Sequence, residues 1–318
     1  MIFNLSIIIP FLNEADNISM LTASLDEFFE RHRFLSAEVI FVDDGSTDTS
    51  INLLSEFAPS YFYARVIKLS KNYGSHAALR AGILHAKGKY ITFMYADLQD
   101  PLDLVIRLYK ECESGIEIAW ATRESTKGGF LEQLFSRNYA YLMKKFAINT
   151  YPENGFDIVM FGSKVQQVLN HHPESNSSIF LQILTLGFRQ SFISYAKKER
   201  RAGKSKWTLS KKIKLLVDSF VAFSFAPIRM VTLAGMAMFI LGMLWTIYII
   251  GRKILLNDLE SGWPALVSIL MIGFGITNIS LGIIAEYLWR TLDASRKRPV
   301  YIIDQIIELP VQNSVVNY

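Results

Sequence analysis

Tyr95-Ala96-Asp97-Leu98-Gln99-Asp100-Pro101 puts two carboxylates, an amide and a proline into one short stretch. It follows Lys89-Tyr90-Ile91-Thr92-Phe93-Met94, whose apolar and β-branched content predicts a buried strand, and Pro101 suits the first turn of a helix. Asp97, Gln99 and Asp100 are therefore expected just past the carboxyl end of a central strand, where open α/β sheets bind ligands. Oxygen donors at such a turn suit a hard divalent cation, Mg²⁺ or Mn²⁺, which in turn can hold a diphosphate. By itself Asp-x-x-Asp-Pro is more often a helix cap; the neighbouring strand ends reverse those odds.

Those strand ends come at regular intervals. Leu5 to Pro10 reads as a first strand and Phe11-Leu12-Asn13-Glu14 as the loop into a helix with apolar Ile18, Leu21, Leu25, Phe28 and Phe29. Glu38 to Val42 is a second strand running into Asp43-Asp44-Gly45-Ser46-Thr47-Asp48, and Arg65 to Leu69 is a third. Strand and helix alternate at βαβ spacing, which predicts an α/β fold with a mainly parallel sheet. The Gly-x-Gly-x-x-Gly of a dinucleotide fold and the Gly-x-x-x-x-Gly-Lys-Ser/Thr of a P-loop are both absent. Polar Asn13, Glu14, Asp43, Asp44, Asn72 and Asp97 stand at the strand ends instead. Acids facing a base and ribose, with one acid left for a metal, describe a nucleotide site that holds phosphate through a cation.

The 318 residues are 51% hydrophobic, and the excess is concentrated late in the chain. Met230 to Gly251 and Ser261 to Ala285 carry no charge over 22 and 25 residues. At about 1.5 Å per residue each can cross a hydrocarbon core of about 30 Å, so two transmembrane helices are expected, over 230–251 and 262–286. Arg229 before the first run, and Arg290, Arg296, Lys297 and Arg298 after the second, place both termini in the cytoplasm by the positive-inside bias. Met1 to Pro10 lacks the basic start of a signal peptide, which agrees. A single cysteine, Cys112, excludes an intrachain disulfide and a Cys-based metal site.

Between the two halves, Lys197 to Lys212 holds eight basic residues against Glu199 alone. Such a run attracts lipid headgroups or phosphates. Nucleic acid is discounted, because no stacking array accompanies the charges and apolar runs follow at once. Trp207 stands where an interfacial anchor would, and Lys211 to Phe225 alternates basic and apolar residues as a helix lying in the interface does.

With these pieces in order, the chain resembles the family 2 glycosyltransferases of GT-A (Rossmann-like) fold, and within them the polyprenyl-phosphate glycosyltransferases. The matching residues are Ser6 to Pro10 with Asn13-Glu14, Val42 to Asp48, Leu69 to Gly74, Ala96 to Pro101, Ala121 to Glu124, Gly155-Phe156-Asp157 and Ala202 to Trp207. The resemblance implies a membrane-bound, inverting hexosyltransferase of the cytoplasmic membrane. It would move a sugar, glucose from UDP-glucose first among the choices, onto undecaprenyl or another polyprenyl phosphate. It assigns Pro10, Asn13, Glu14, Asp43, Asp44, Asn72, Asp97 and Gln99 to the nucleotide sugar, with Asp97 and Gln99 also holding the metal. Asp157, Arg137, Lys204, Ser205 and Lys206 would meet the acceptor phosphate, and Asp157, Asp97, Arg123, Arg201 and Lys204 would be catalytic. One departure stands out: Tyr95 replaces the first acid of the family's usual Asp-x-Asp.

The expected organisation is a catalytic domain over 1–208, an interfacial helix over 209–226, a two-helix anchor over 227–289 and a cytoplasmic tail over 290–318. Gly273, Gly275 and Gly282 would permit close helix contact, between subunits of a homo-oligomer among other arrangements. A processive polysaccharide synthase would want Gln-x-x-Arg-Trp and more membrane helices, and neither is seen. A nucleotide-sugar-binding regulatory subunit, impaired at Tyr95, stays open beside the transferase, as does a transferase using another UDP- or GDP-sugar.

Overall fold

Ile7, Ile8 and Ile9 are consecutive and all fully buried, which requires a strand covered on both faces. They lie in β1 (Phe3–Phe11), at the centre of an eight-stranded sheet in this computed structural model. The structure describes residues 3–124, 130–152, 155–172, 174, 177–197, 218, 224, 226–256, 262–296 and 298–311. These residues divide into two compact units, 1–213 with 299–318, and 214–298.

In the first unit, β1 is followed by α1 (Ala15–Arg31), β2 (Ala37–Asp43), α2 (Ser50–Ser55), β3 (Tyr63–Leu69), α3 (Ser75–His85), β4 (Gly88–Phe93) and α4 (Asp103–Glu113). Next come β5 (Ile118–Arg123), α5 (Phe130–Phe146), β6 (Phe156–Gly162), α6 (Ser163–His171), α7 (Ile179–Leu184) and β7 (Gln190–Tyr195). The strand order is β7-β5-β6-β4-β1-β2-β3-β8, with β8 (Ile303–Glu308) closing one edge. Pairings β1–β2, β1–β4, β2–β3 and β5–β7 are parallel, whereas β6 runs antiparallel to both β4 and β5. The mainly parallel α/β expectation therefore holds.

The period of two is visible in the packing. Leu5, Ile7 and Ile9 join α1 residues Ile18, Leu21, Leu25, Phe28 and Phe29, and α4 residues Leu104, Val105 and Leu108, in one core. Ile8 points the other way, to α3, where Gly82 leaves room for it: a Cβ there would lie 2.3 Å from Ile8 Cγ2. Each of these aliphatic or aromatic side chains contributes about 1.5–3 kcal/mol by leaving water. Successive strands are added on one side of β1 as β2 and β3 and then on its other side as the parallel β4, so the loops Phe11–Glu14 and Met94–Asp100 leave adjacent carboxyl ends in opposite directions and border a crevice.

Within the stretch expected as a tail over 290–318, residues 303–308 form a strand of the sheet. β8 pairs antiparallel with β3, Ile67 opposite Ile306 and Arg65 opposite Glu308, and Lys68 Nζ lies 2.8 Å from Asp304 Oδ2. A six-residue strand behind two long apolar runs carries little signal of its own; its partner edge, β3, lies more than 200 positions upstream and supplies the hydrogen bonds.

The second unit holds α8 (Ala226–Leu256) and α9 (Trp263–Ser295), which pack against each other; Tyr287 Oη donates to the Ser224 carbonyl at 3.0 Å. Many of their large apolar side chains point outward, Met230 and Phe274 among them. Among the described residues, Ile272–Asp293 is long and apolar enough to cross a membrane, and Arg229–Trp245 is a shorter apolar stretch. The expected interfacial helix falls almost entirely outside the described residues.

Candidate active site

The loops after β1, β2 and β3 are tied to one another by their polar side chains. Asn13 adopts φ 51°, and its Oδ1 accepts from the Thr47 backbone N–H at 2.8 Å while its own N–H donates to Ser46 Oγ at 2.9 Å. Glu14 Oε2 accepts from Asn17 Nδ2 at 2.7 Å, and Asn72 Oδ1 from the Gly74 N–H at 3.1 Å. Asp44 is buried and receives the N–H groups of Tyr73 at 2.7 Å and Gly74 at 2.9 Å, which fixes the loop after β3. Gly45 lets that loop come close: with φ 80°, any Cβ would lie 2.6 Å from the Lys71 carbonyl carbon. Pro10 is not in the loop but buried within β1, opposite Val42.

Asp43 differs from its neighbour. Oδ1 accepts from the Ser46 N–H at 2.9 Å, but Oδ2 is enclosed without a hydrogen-bond partner among the described residues. Burial raises its pKa, more than the Ser46 contacts and Lys68 lower it. A buried acceptor lacking a donor at the carboxyl end of β2 is suited to an N–H or O–H of a ligand.

After β4 the chain turns sharply. Leu98 has φ 54°, and the Gln99 N–H reaches Asp97 Oδ1 at 3.3 Å, so Asp97 and Gln99 sit half-buried on one tight turn. Among the described residues, no three His, Cys, Asp or Glu side chains converge as a complete metal cage. One carboxylate and one amide fit a hard cation that keeps its remaining positions for phosphate oxygens and water, the habit of Mg²⁺.

The densest charge lies beside this turn, where β5, β6 and β7 end. The β5–β7 register puts Arg123 opposite Tyr195, and β6 brings Asp157 alongside. Arg123 grips Asp157 in a two-pronged ion pair, Nε to Oδ2 and Nη2 to Oδ1. Tyr195 Oη lies 2.9 Å from Asp157 Oδ2 and 2.5 Å from Asp100 Oδ1. Lys197 Nζ lies 3.4 Å from Asp100 Oδ1 and 3.5 Å from Asp157 Oδ2. Burial raises the Asp157 pKa, but Arg123, Lys197 and Tyr195 together outweigh it and hold the group below the usual carboxylate range. Asp100, with only 1% of its side chain exposed, moves upward because desolvation exceeds what Lys197 and Tyr195 return. Tyr95 is also pushed up, by burial first and then by Asp157, Asp100 and Asp97, so it stands as a neutral phenol among acids.

Asp97, Gln99, Arg123 and Asp157 thus share one end of the sheet. Arg137 is exposed on α5, and no contact joins it to Asp157 among the described residues. Arg201, Lys204, Ser205 and Lys206 lie outside the described residues. Tyr195 and Lys197 were not singled out by sequence reasoning. Lys197 offered only membership of the basic run, and Tyr195 offered nothing beyond the end of a short strand.

Residues 6–171 match the family model described as glycosyl transferase family 2. The chain is 31% identical over 302 residues to the uncharacterized glycosyltransferase YkcC of Bacillus subtilis, covering 94% of this chain and 93% of that one. It is 28% identical over 304 residues to a prophage bactoprenol glucosyl transferase homolog of Escherichia coli, covering 95% and 99%. It is also 28% identical over 312 residues to the undecaprenyl-phosphate 4-deoxy-4-formamido-L-arabinose transferase of Edwardsiella ictaluri, covering 95% and 94%.

Proposed function

From the premise that this chain belongs to glycosyl transferase family 2 and is a transferase, we propose that it moves a hexose from a UDP-sugar to a polyprenyl phosphate. UDP-glucose is the favoured donor and undecaprenyl phosphate the favoured acceptor, in line with the names of the relatives. The observation that carries the reading is the Arg123–Asp157 pair standing beside the Asp97–Gln99 turn at the carboxyl edge of the sheet.

An acceptor phosphate is anionic near neutral pH and attacks without a strong base. Asp157, held ionised by two cations, suits the orientation of Arg123 better than the removal of a proton. In the step proposed, an acceptor phosphate oxygen forms a bond to the anomeric carbon as the bond from that carbon to the donor β-phosphate oxygen breaks. UDP leaves with the electron pair, and the anomeric centre inverts. Arg123 offers its guanidinium to the oxygen atoms that gain charge. Asp43 Oδ2 is placed to accept from the nucleoside, and Asn13, Glu14, Asp44 and Asn72 hold the loops that shape its pocket. A divalent cation bound by Asp97 and Gln99 would offset charge on the diphosphate.

The anchor is proposed as two spans within α8 and α9, with the first unit and both termini cytoplasmic and the protein a homo-oligomer. The basic residues that follow Lys197 in the sequence, Arg201 and Lys204 among them, would meet the lipid phosphate.

The test is UDP release by detergent-purified protein from a panel of UDP- and GDP-sugars, with and without undecaprenyl phosphate and Mn²⁺ or Mg²⁺. Release with one sugar, dependent on the lipid and abolished in Asp97→Asn, is expected. Binding of UDP with no donor consumed under any condition overturns the transferase assignment and leaves a regulatory subunit.

A further inference from the structure

Two buried carboxylates, Asp100 and Asp157, face each other across a phenol and an ammonium to which the chemistry above gives no role beyond keeping Asp157 ionised. Asp100 belongs to the turn that carries Asp97, while Asp157 opens β6. Tyr195 Oη stands between them at 2.5 and 2.9 Å, and Lys197 Nζ at 3.4 and 3.5 Å. A phenol has one hydrogen and can donate to one carboxylate at a time. Asp157 already has the Arg123 guanidinium, and the Lys197 ammonium supplies the attraction that Asp100 would otherwise lack. Without it, two acids of like charge would be buried side by side, an arrangement that forces one of them to turn away or take up a proton.

The side chains are also fixed from behind. Tyr195 is 2% exposed at the end of β7, where it pairs with Arg123 of β5, so its ring cannot follow a moving carboxylate. Only 19% of the Lys197 side chain is exposed, unlike a solvated surface lysine. The bracket therefore joins the donor side of the site, through Asp100, to the Arg123–Asp157 pair.

We infer that Tyr195 and Lys197 are positioning residues: they set the separation between the Asp97–Pro101 turn and Asp157, and so align the acceptor phosphate with the anomeric carbon of the donor. This rests on the transferase reading. Neither residue touches the reacting atoms. Misalignment of about an ångström between reacting groups costs on the order of 100-fold in rate, while binding of the separate pieces persists.

The experiment uses the full-length protein in detergent with undecaprenyl phosphate, Mn²⁺ and whichever UDP-sugar of the panel it consumes, comparing Tyr195→Phe, Lys197→Met and Lys197→Arg with wild type. Both Tyr195→Phe and Lys197→Met are expected to lower kcat by at least about tenfold, with KM for the donor and the calorimetric Kd for UDP with Mn²⁺ changed by less than about twofold. Lys197→Arg, which keeps the charge, should recover at least about a third of the wild-type kcat. A kcat within about threefold of wild type in both Tyr195→Phe and Lys197→Met overturns the inference. So does a loss that only tracks the fraction of protein able to bind UDP, since that marks a brace for folding alone. If the wild type consumes no donor, the transferase reading fails first and the inference falls with it.

Discussion

Arg123 shows how far a single residue's chemistry depends on shape as well as charge. Its fork meets both oxygens of Asp157, and lysine has no equivalent geometry. Arg123→Lys is expected to lower kcat/KM by about 10–100-fold in the UDP-release assay, although the site keeps its net charge. His76 makes a different prediction, in pH. Its ring packs edge-on to Phe180, Nδ1 is enclosed without a partner among the described residues, and burial, then Arg80, lowers its pKa to about 4. The unfolded chain protonates this histidine near pH 6.5 while the folded one does not, so stability falls as pH drops from about 6.5 to about 4 and then levels off. The full effect is about 3 kcal/mol. His76→Phe, which keeps a ring beside Phe180, should flatten the fall of the unfolding midpoint across that window; an unchanged pH profile would contradict the assignment.

At the scale of elements, the proposed donor side depends on loops pulled together by backbone contacts. The loop after β2 passes so close to the loop after β3 that Gly45 has no space for a side chain, and its φ of 80° is unfavourable for any other residue. Gly45→Ala is expected to cost roughly 2–4 kcal/mol, seen as a lower unfolding midpoint together with weaker UDP binding, because Lys71 and Asn72 must move. Asp44, which holds Tyr73 and Gly74, shares that task. The four acids Asp43, Asp44, Asp97 and Asp100 look alike in a motif. The structure separates Asp43, with an unpartnered oxygen at the end of β2, from Asp44, which serves as scaffold, Asp97 on an open turn, and Asp100, bracketed through Oδ1 while its Oδ2 is buried without a partner among the described residues.

For the whole molecule, the part of the chain that follows the long helices returns to the catalytic unit. β8 covers the edge of β3 and brings Asp304 to Lys68 and Glu308 to Arg65. Ending the chain at residue 298 should uncover that edge, lower the unfolding midpoint and increase aggregation on size exclusion, since an unpaired strand edge is a template for association. The proposed topology is checked by labelling with a membrane-impermeant maleimide, for which the one native cysteine, Cys112, is buried. Asn257→Cys should label in intact cells and Ser314→Cys only after permeabilisation; the reverse would invert the orientation.

Much of this was determined by the sequence alone. Alternating strands and helices, and the oxygen-rich strand ends at Asn13, Asp43 and Asp97, are legible because strand burial, turn chemistry and motif spacing act over a few neighbouring residues; Asp157 was legible only through the family resemblance. Tertiary structure alone decided the partners. Tyr195 lies 95 positions from Asp100 and 38 from Asp157, and no local pattern announces either contact. The return of β8 to β3, the grip of Arg123 on Asp157 and the orphaned oxygen of Asp43 are of the same kind. Each depends on which strands become neighbours and in which register, and that is settled by burial of the whole sheet.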